Sequence, residues 1–114
     1  MSRFATGARA AAFTTAMLLS PVVLQSSAVA APKTHTVVID KMAFGPAPAR
    51  VRAGDVVVWV NKDLFRHTAT ARDKSFDVDL PPGKSVRMVV KKVGPVSYSC
   101  RFHPGMTGKM TVAK

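Results

Sequence analysis

Near the C-terminal end of the chain runs Ser99-Cys100-Arg101-Phe102-His103-Pro104-Gly105-Met106. Cys100 is the only cysteine in 114 residues; a histidine follows it by three positions and a methionine by six. A thiolate, an imidazole and a thioether are three different metal donors. Soft sulfur ligands suit Cu(I) and imidazole suits both copper oxidation states. Two histidines, one cysteine and a weak axial methionine make up the trigonal set used for copper electron transfer. The candidate for the second histidine is His67, thirty-three residues before Cys100.

Each residue alone has a plainer explanation. A lone buried cysteine packs as a small hydrophobe and a lone methionine fills core gaps, while a lone histidine is commonly a solvated surface group. A sole cysteine with His at +3 and Met at +6 on one short segment is not a packing pattern. Zinc fits less well, because a Cys-His₂ site lacks a fourth hard or thiolate ligand and leaves the methionine idle. A cysteine-histidine hydrolase needs a placed base and an oxyanion hole, and a +3 spacing on a tight loop supplies neither. His35, the third histidine, has no soft donor beside it and is expected to be solvent-exposed.

Donors this far apart need a scaffold that holds them still. From Thr34 onward the hydrophobic period is two rather than 3.6. Strands are expected over residues 36–40, 50–52, 56–60, 67–70, 76–80, 85–91, 93–100 and 109–113, with turns marked by Ala53-Gly54-Asp55, Asn61-Lys62-Asp63 and Pro81-Pro82-Gly83. Met42 and Phe44 lead into a loop holding Gly45, Pro46 and Pro48. Seven or eight short strands with closely spaced turn signals and no helical pattern imply an all-β sandwich or barrel of antiparallel strands. In this layout Cys100 ends one strand, Met106 precedes the next, His103 lies in the loop between, and His67 opens an earlier strand.

The first thirty residues read as a targeting segment. Arg3 and Arg9 give a positive start, residues 10–24 an apolar core, and Ala28-Val29-Ala30 a small-residue cleavage signal. The apolar run is interrupted by Thr14, Thr15, Ser20 and Pro21 and falls short of the roughly 20 residues of a spanning helix, which disfavours a retained anchor. No cysteine lies near the cut to carry a lipid, and no arginine pair marks the twin-arginine route. Residues 1–30 are thus expected to be a cleaved signal peptide and residues 31–114 one domain, exported to a periplasm without stable membrane insertion. In such a compartment a leftover cysteine is a reactive thiol unless something occupies it, and metal ligation is one such occupation.

Without the leader, fifteen basic residues face six aspartates and no glutamate. Charge of this kind speaks to partners, not fold. Nucleic acid is disfavoured by export and by aromatics that are not interleaved with basic residues. The expected partner is an acidic redox protein, of cytochrome c or dehydrogenase type, met by a monomer, or else an anionic envelope surface. Arg66 and Arg101, which flank ligands in sequence, are expected to help steer such a partner. No phosphate-binding glycine loop, paired-carboxylate site or nucleophile elbow is present, so no enzyme activity is expected.

Cys100-x-x-His103-Pro104-x-Met106 resembles the copper loop of the small bacterial cupredoxins, the type 1 blue-copper proteins, in its amicyanin-like and plastocyanin-like forms. Val51-x-Ala53-Gly54-Asp55-x-Val57-x-Trp59-x-Asn61-x-Asp63, followed by His67-Thr68, is similar to that family's approach to its first histidine. Phe44-x-Pro46 and Pro82-Gly83-x-Ser85 fit as well. The resemblance covers the mature chain. It implies a Greek-key β-sandwich holding one copper that cycles between Cu(I) and Cu(II), with His67, Cys100 and His103 equatorial and Met106 weakly axial. The short His-x-x-Met spacing is the amicyanin-like form; a plastocyanin places its methionine where this chain has Gly108, so Met110 is assigned to the core. The resemblance also implies that the His103 edge reaches the surface through an apolar patch, here Phe44, Pro46, Phe65, Pro104 and Met106. Thr68 stands where many members carry an asparagine that ties the two ligand loops together. The function implied is single-electron carriage by outer-sphere transfer. A periplasmic copper carrier or buffer that hands on the ion is the alternative, and a structural domain with a vestigial site a weaker third.

Overall fold

The computed structural model describes residues 2–114. Residues 2–33 carry no regular secondary structure and bury no side chain. Beyond them the described residues form nine strands: β1 (Thr34–Asp40), β2 (Ala43–Phe44), β3 (Val51–Arg52), β4 (Val56–Asn61), β5 (His67–Ala71), β6 (Asp77–Leu80), β7 (Ser85–Val89), β8 (Gly94–Ser99) and β9 (Thr107–Ala113). Two sheets result, ordered β2-β1-β4-β7 and β3-β9-β8-β5-β6. The all-β architecture is the one the period-two pattern implies.

Alternation decides which side chains meet between the sheets. β4 turns Val57, Trp59 and Asn61 inward, β1 Val37 and Ile39, β6 Val78 and Leu80, and β9 Met110 and Val112, all buried. Asp77 and Asp79, at the other parity of β6, are exposed. An aromatic cluster fills the middle: Tyr98 lies edge-on to Phe44 and Trp59, with ring centroids 4.9 and 5.1 Å away. Gly108 pairs with Tyr98 across the β8–β9 ladder. A Cβ there would lie 2.3 Å from the Tyr98 ring, so the aromatic core dictates glycine at this position.

Two details depart from an antiparallel sandwich of seven to eight strands. Ala43–Phe44, read from sequence as the entry to a loop, is a ninth strand that hairpins back on β1. Two pairs, β1–β4 and β3–β9, are parallel. Parallel neighbours need a long crossover. For β1–β4, residues 41–55 provide it: after the β2 hairpin they leave the first sheet, lend β3 to the second and return. Pro46 and Pro48, which cannot donate to a ladder, fall in the unpaired part of that crossover.

The ends of the sandwich are closed differently. At one, Asn61 Nδ2 donates to the carbonyls of Phe65 (2.8 Å) and Leu80 (2.9 Å), joining the sheets beside the loop between β8 and β9. At the other, Ala53 N–H donates to Ala113 O (2.8 Å) and Gly54 N–H to Val90 O (2.7 Å). Asp55 is buried there and accepts from His35 Nε2 (2.9 Å) and from the backbone N–H groups of Lys33 and Arg52. His35 is therefore partly buried and tied down, not the free surface residue expected, because β1 carries it past the only carboxylate of the β3–β4 turn.

Candidate metal centre

β8 points Val96 and Tyr98 into the core, and the same parity carried two residues further buries Cys100, only 1% exposed. The chain then closes a compact loop on itself. Cys100 N–H donates to Met106 O (3.1 Å), His103 N–H to Cys100 O (3.3 Å) and Met106 N–H to His103 O (2.8 Å). His67 enters from the head of β5, fully buried and paired with Leu80 of β6.

These elements bring three of the four expected ligands face to face. Cys100 Sγ lies 3.7 Å from His67 Nδ1 and 3.5 Å from His103 Nδ1. The three ligand atoms all fall within 4.8 Å of one another. Met106 is buried at the closing end of the same loop. One sulfur and two ring nitrogens turned toward a common space, with a thioether in the same loop, match the donor chemistry of copper.

Two residues that sequence reading passed over or doubted hold these donors in place. Asp63, taken as a turn residue, accepts from His67 Nε2 (2.7 Å) and from the backbone N–H groups of Lys41 (2.7 Å) and Met42 (2.9 Å). A carboxylate on Nε2–H fixes the tautomer and leaves the Nδ1 lone pair free to face the thiol. Lys41 and Met42 both have positive φ, 51° and 61°, so Asp63 also clamps a sparsely populated backbone turn. Burial pushes its carboxyl pKa up, but these donors win and hold it below the ordinary value. The legible signal was an aspartate four residues before a candidate ligand.

Thr68 does tie the ligand loops together. Its N–H donates to Cys100 Sγ (3.4 Å), and its Oγ1 accepts from Arg101 N–H (2.9 Å). Burial, the largest single influence, raises the Cys100 pKa; the Thr68 N–H, His103, His67 and the Phe102 N–H together outweigh it, and the thiol falls to about 6. The thiolate, the form that binds metal, is thus available at neutral pH.

The surface around the site differs in part from the expected patch. Phe44 is packed against the core aromatics and Met106 is 5% exposed. Pro46, Phe65 (60% exposed) and Pro104 are at the surface as expected, and Leu64 (90%) and Phe102 (51%), in the segments leading to His67 and His103, are exposed as well. Arg66 is forked onto Asp79, with Nε to Oδ1 at 2.8 Å, and Arg101 meets Asp77 at 3.3 Å. The two arginines expected to steer an acidic partner are largely neutralised where they stand.

Comparison with known proteins agrees with the geometry. A family model described as Cupredoxin-like domain matches residues 10–112. Amicyanin-alpha of Methylorubrum extorquens is 30% identical over 118 residues, covering 98% of this chain and 99% of that protein. The reduced state of an amicyanin variant superposes with a TM-score of 0.58 at 25% identity, over 69% of this chain and 81% of that one. The copper-containing nitrite reductase of Thermus scotoductus aligns with a TM-score of 0.63 at 28% identity, over 83% of this chain but 25% of the larger enzyme.

Proposed function

We propose that this chain, which belongs to the cupredoxin-like family, carries single electrons between redox proteins at one copper held by His67, Cys100, His103 and Met106. One observation carries the reading: the buried Cys100 thiol and the His103 ring of one loop converge with the His67 ring from a distant strand, their ligand atoms within 4.8 Å. In this assignment Cys100 Sγ and the two Nδ1 atoms would be the strong donors and the Met106 thioether a weak one. Copper bound there would supply a one-electron couple, Cu(I)/Cu(II), with donors that suit both states.

The chain's own part is to hold donors still and keep water out. Asp63 fixes the His67 ring, the Thr68 N–H holds Cys100 Sγ, and the sheets bury both ligands. His103 is partly exposed, and the apolar residues around it suit brief docking of a redox partner, as in small electron-transfer interfaces. Residues 1–30 act in this reading as a cleaved signal peptide that sends the domain to the periplasm. Their exposure and lack of regular structure are compatible with removal.

The alternative, a carrier that passes on the ion itself, shares the ligands but needs them to let go. The burial of His67 and Cys100 favours retention. The deciding experiment is a visible absorption spectrum of the protein after addition of Cu(II), repeated with Cys100→Ser. Electron carriage predicts an intense thiolate-to-copper band that bleaches on reduction, returns on oxidation and vanishes in the variant. A pale complex that gives up its copper quickly to a chelator would establish the carrier reading instead.

A further inference from the structure

Positive charge is unevenly distributed along the sandwich. Around the end where β1 begins and β9 finishes lie Lys33, Arg50, Arg52, Lys91, Lys92 and Lys114, all exposed. A Lys92–Asp73 ion pair of 2.9 Å brings Arg72 and Lys74 of the β5–β6 turn up to this group. Only two aspartates share the region: Asp55, buried against His35, and Asp73 itself. Among the described residues, no carboxylate stands in ion-pair range of the other seven cations. At the copper end, Lys41, Lys62, Arg66, Lys84 and Arg101 face four aspartates, Asp40, Asp63, Asp77 and Asp79, and both arginines are paired. The net charge of the domain is therefore concentrated away from the metal.

Two features say what such a face meets. The apolar leader leaves the domain from this end: residues 29–33 and Arg50, Arg52 and Lys114 line one cleft of about 450 Å³. While the leader sits in a membrane, the basic end is the part of the domain that faces it. Next, an apolar cleft of about 340 Å³ opens beside Lys91 and Lys92, floored by Phe76, Met88, Val96 and Met110. Val89 at its rim and Val93 in the adjoining connection are 53% and 45% exposed. Unpaired cations interspersed with hydrocarbon match a layer of anionic headgroups over acyl chains better than a hydrated acidic protein surface.

We propose that the end of the sandwich remote from the copper loop docks reversibly on the surface of an anionic lipid bilayer, turning the loop away toward its redox partners. The choice of a bilayer rests on the reading of the chain as exported; the surface itself is testable without reference to copper.

The test is co-sedimentation of the copper-loaded protein, its N-terminus established by mass, with vesicles of phosphatidylcholine alone or mixed with phosphatidylglycerol. Binding is expected only to the anionic vesicles and should weaken as salt rises. A triple variant, Arg50→Gln, Arg52→Gln and Lys114→Gln, should bind on the order of a hundredfold more weakly, at about fivefold per charge near an anionic surface. A control at the other end, Lys62→Gln with Lys84→Gln, should bind as the parent does. An unchanged blue band in both variants shows that fold and metal site are intact, so failure here is separable from failure of the electron-carrier reading. Equal losses in the two variants, equal binding to neutral vesicles, or no binding to anionic vesicles at low salt each overturn the proposal. So does binding to poly-glutamate but not to vesicles, which would make the face a site for an acidic protein.

Discussion

Cys100, His67 and His103 stand out as candidate donors because the chain has one cysteine and three histidines, and Met106, one of six methionines, because it lies six residues after that cysteine. What sequence could not supply was the set of groups that aim them. Asp63 reads as one more turn aspartate until β5 turns the Nε2 of His67 onto it; its role depends on a fold, not on a motif. Asp63→Asn weakens the acceptor for that ring and for the Lys41 and Met42 N–H groups. The expected result is a 10- to 100-fold loss of copper affinity, as is typical when the partner of a ligating histidine is altered, read by competition with a chelator. The copper-free protein should lose about 1–3 kcal/mol in urea denaturation. Loss of stability with unchanged copper affinity would mean that Asp63 serves the backbone turn alone. Thr68 shows the same limit from the other side: it stands where the resemblance places an asparagine, yet its hydroxyl oxygen is the one that Arg101 N–H reaches.

At the scale of strands, the period-two alternation located the principal strands and most inward faces. Boundaries shifted by a residue or two, and β2 was missed because two residues are too few to show a period. The parallel pairs were also hidden, since alternation assigns faces but carries no direction. Pairing specifies Gly108. The tyrosine ring that excludes a side chain there comes from β8, so only the β8–β9 register reveals the constraint. Gly108→Ala should cost about 1–3 kcal/mol, the usual penalty for overpacking a filled core, measured as the shift in urea midpoint with unchanged slope. Because β9 follows directly on the ligand loop, the blue band should broaden or shift as well. An alanine variant as stable as the parent would mean that the Tyr98 ring swings aside.

Taken whole, the molecule was legible as a basic domain, but net charge says nothing of where the charge lies. Folding gathers most of it at the end closed by Asp55 and leaves the metal end close to balance. Asp55 also makes stability depend on pH. The His35 hydrogen bond, then the Lys33 and Arg52 N–H groups, lower its pKa from 3.8 to about 2. The folded state holds the proton less tightly than the unfolded chain, so this contribution is complete above about pH 4 and disappears as pH falls toward 2. Urea midpoints of the copper-free protein should therefore fall over that interval. Asp55→Asn should start lower at neutral pH and show a shallower acid limb, with a remainder from Asp63, Asp73 and Asp79, which are also held below their ordinary values. An identical acid limb in the variant would remove Asp55 from the account. The strand order has a different consequence, for biosynthesis. β9, formed by Thr107–Ala113, is an interior strand between β3 and β8, yet it comes last of the nine in chain order. Until those residues emerge, β3 has no partner in the second sheet and Met106 has no following strand to anchor it. A product truncated before β9 therefore lacks a finished loop, and with the proposed ligands competence to hold copper would begin only once all nine strands are present.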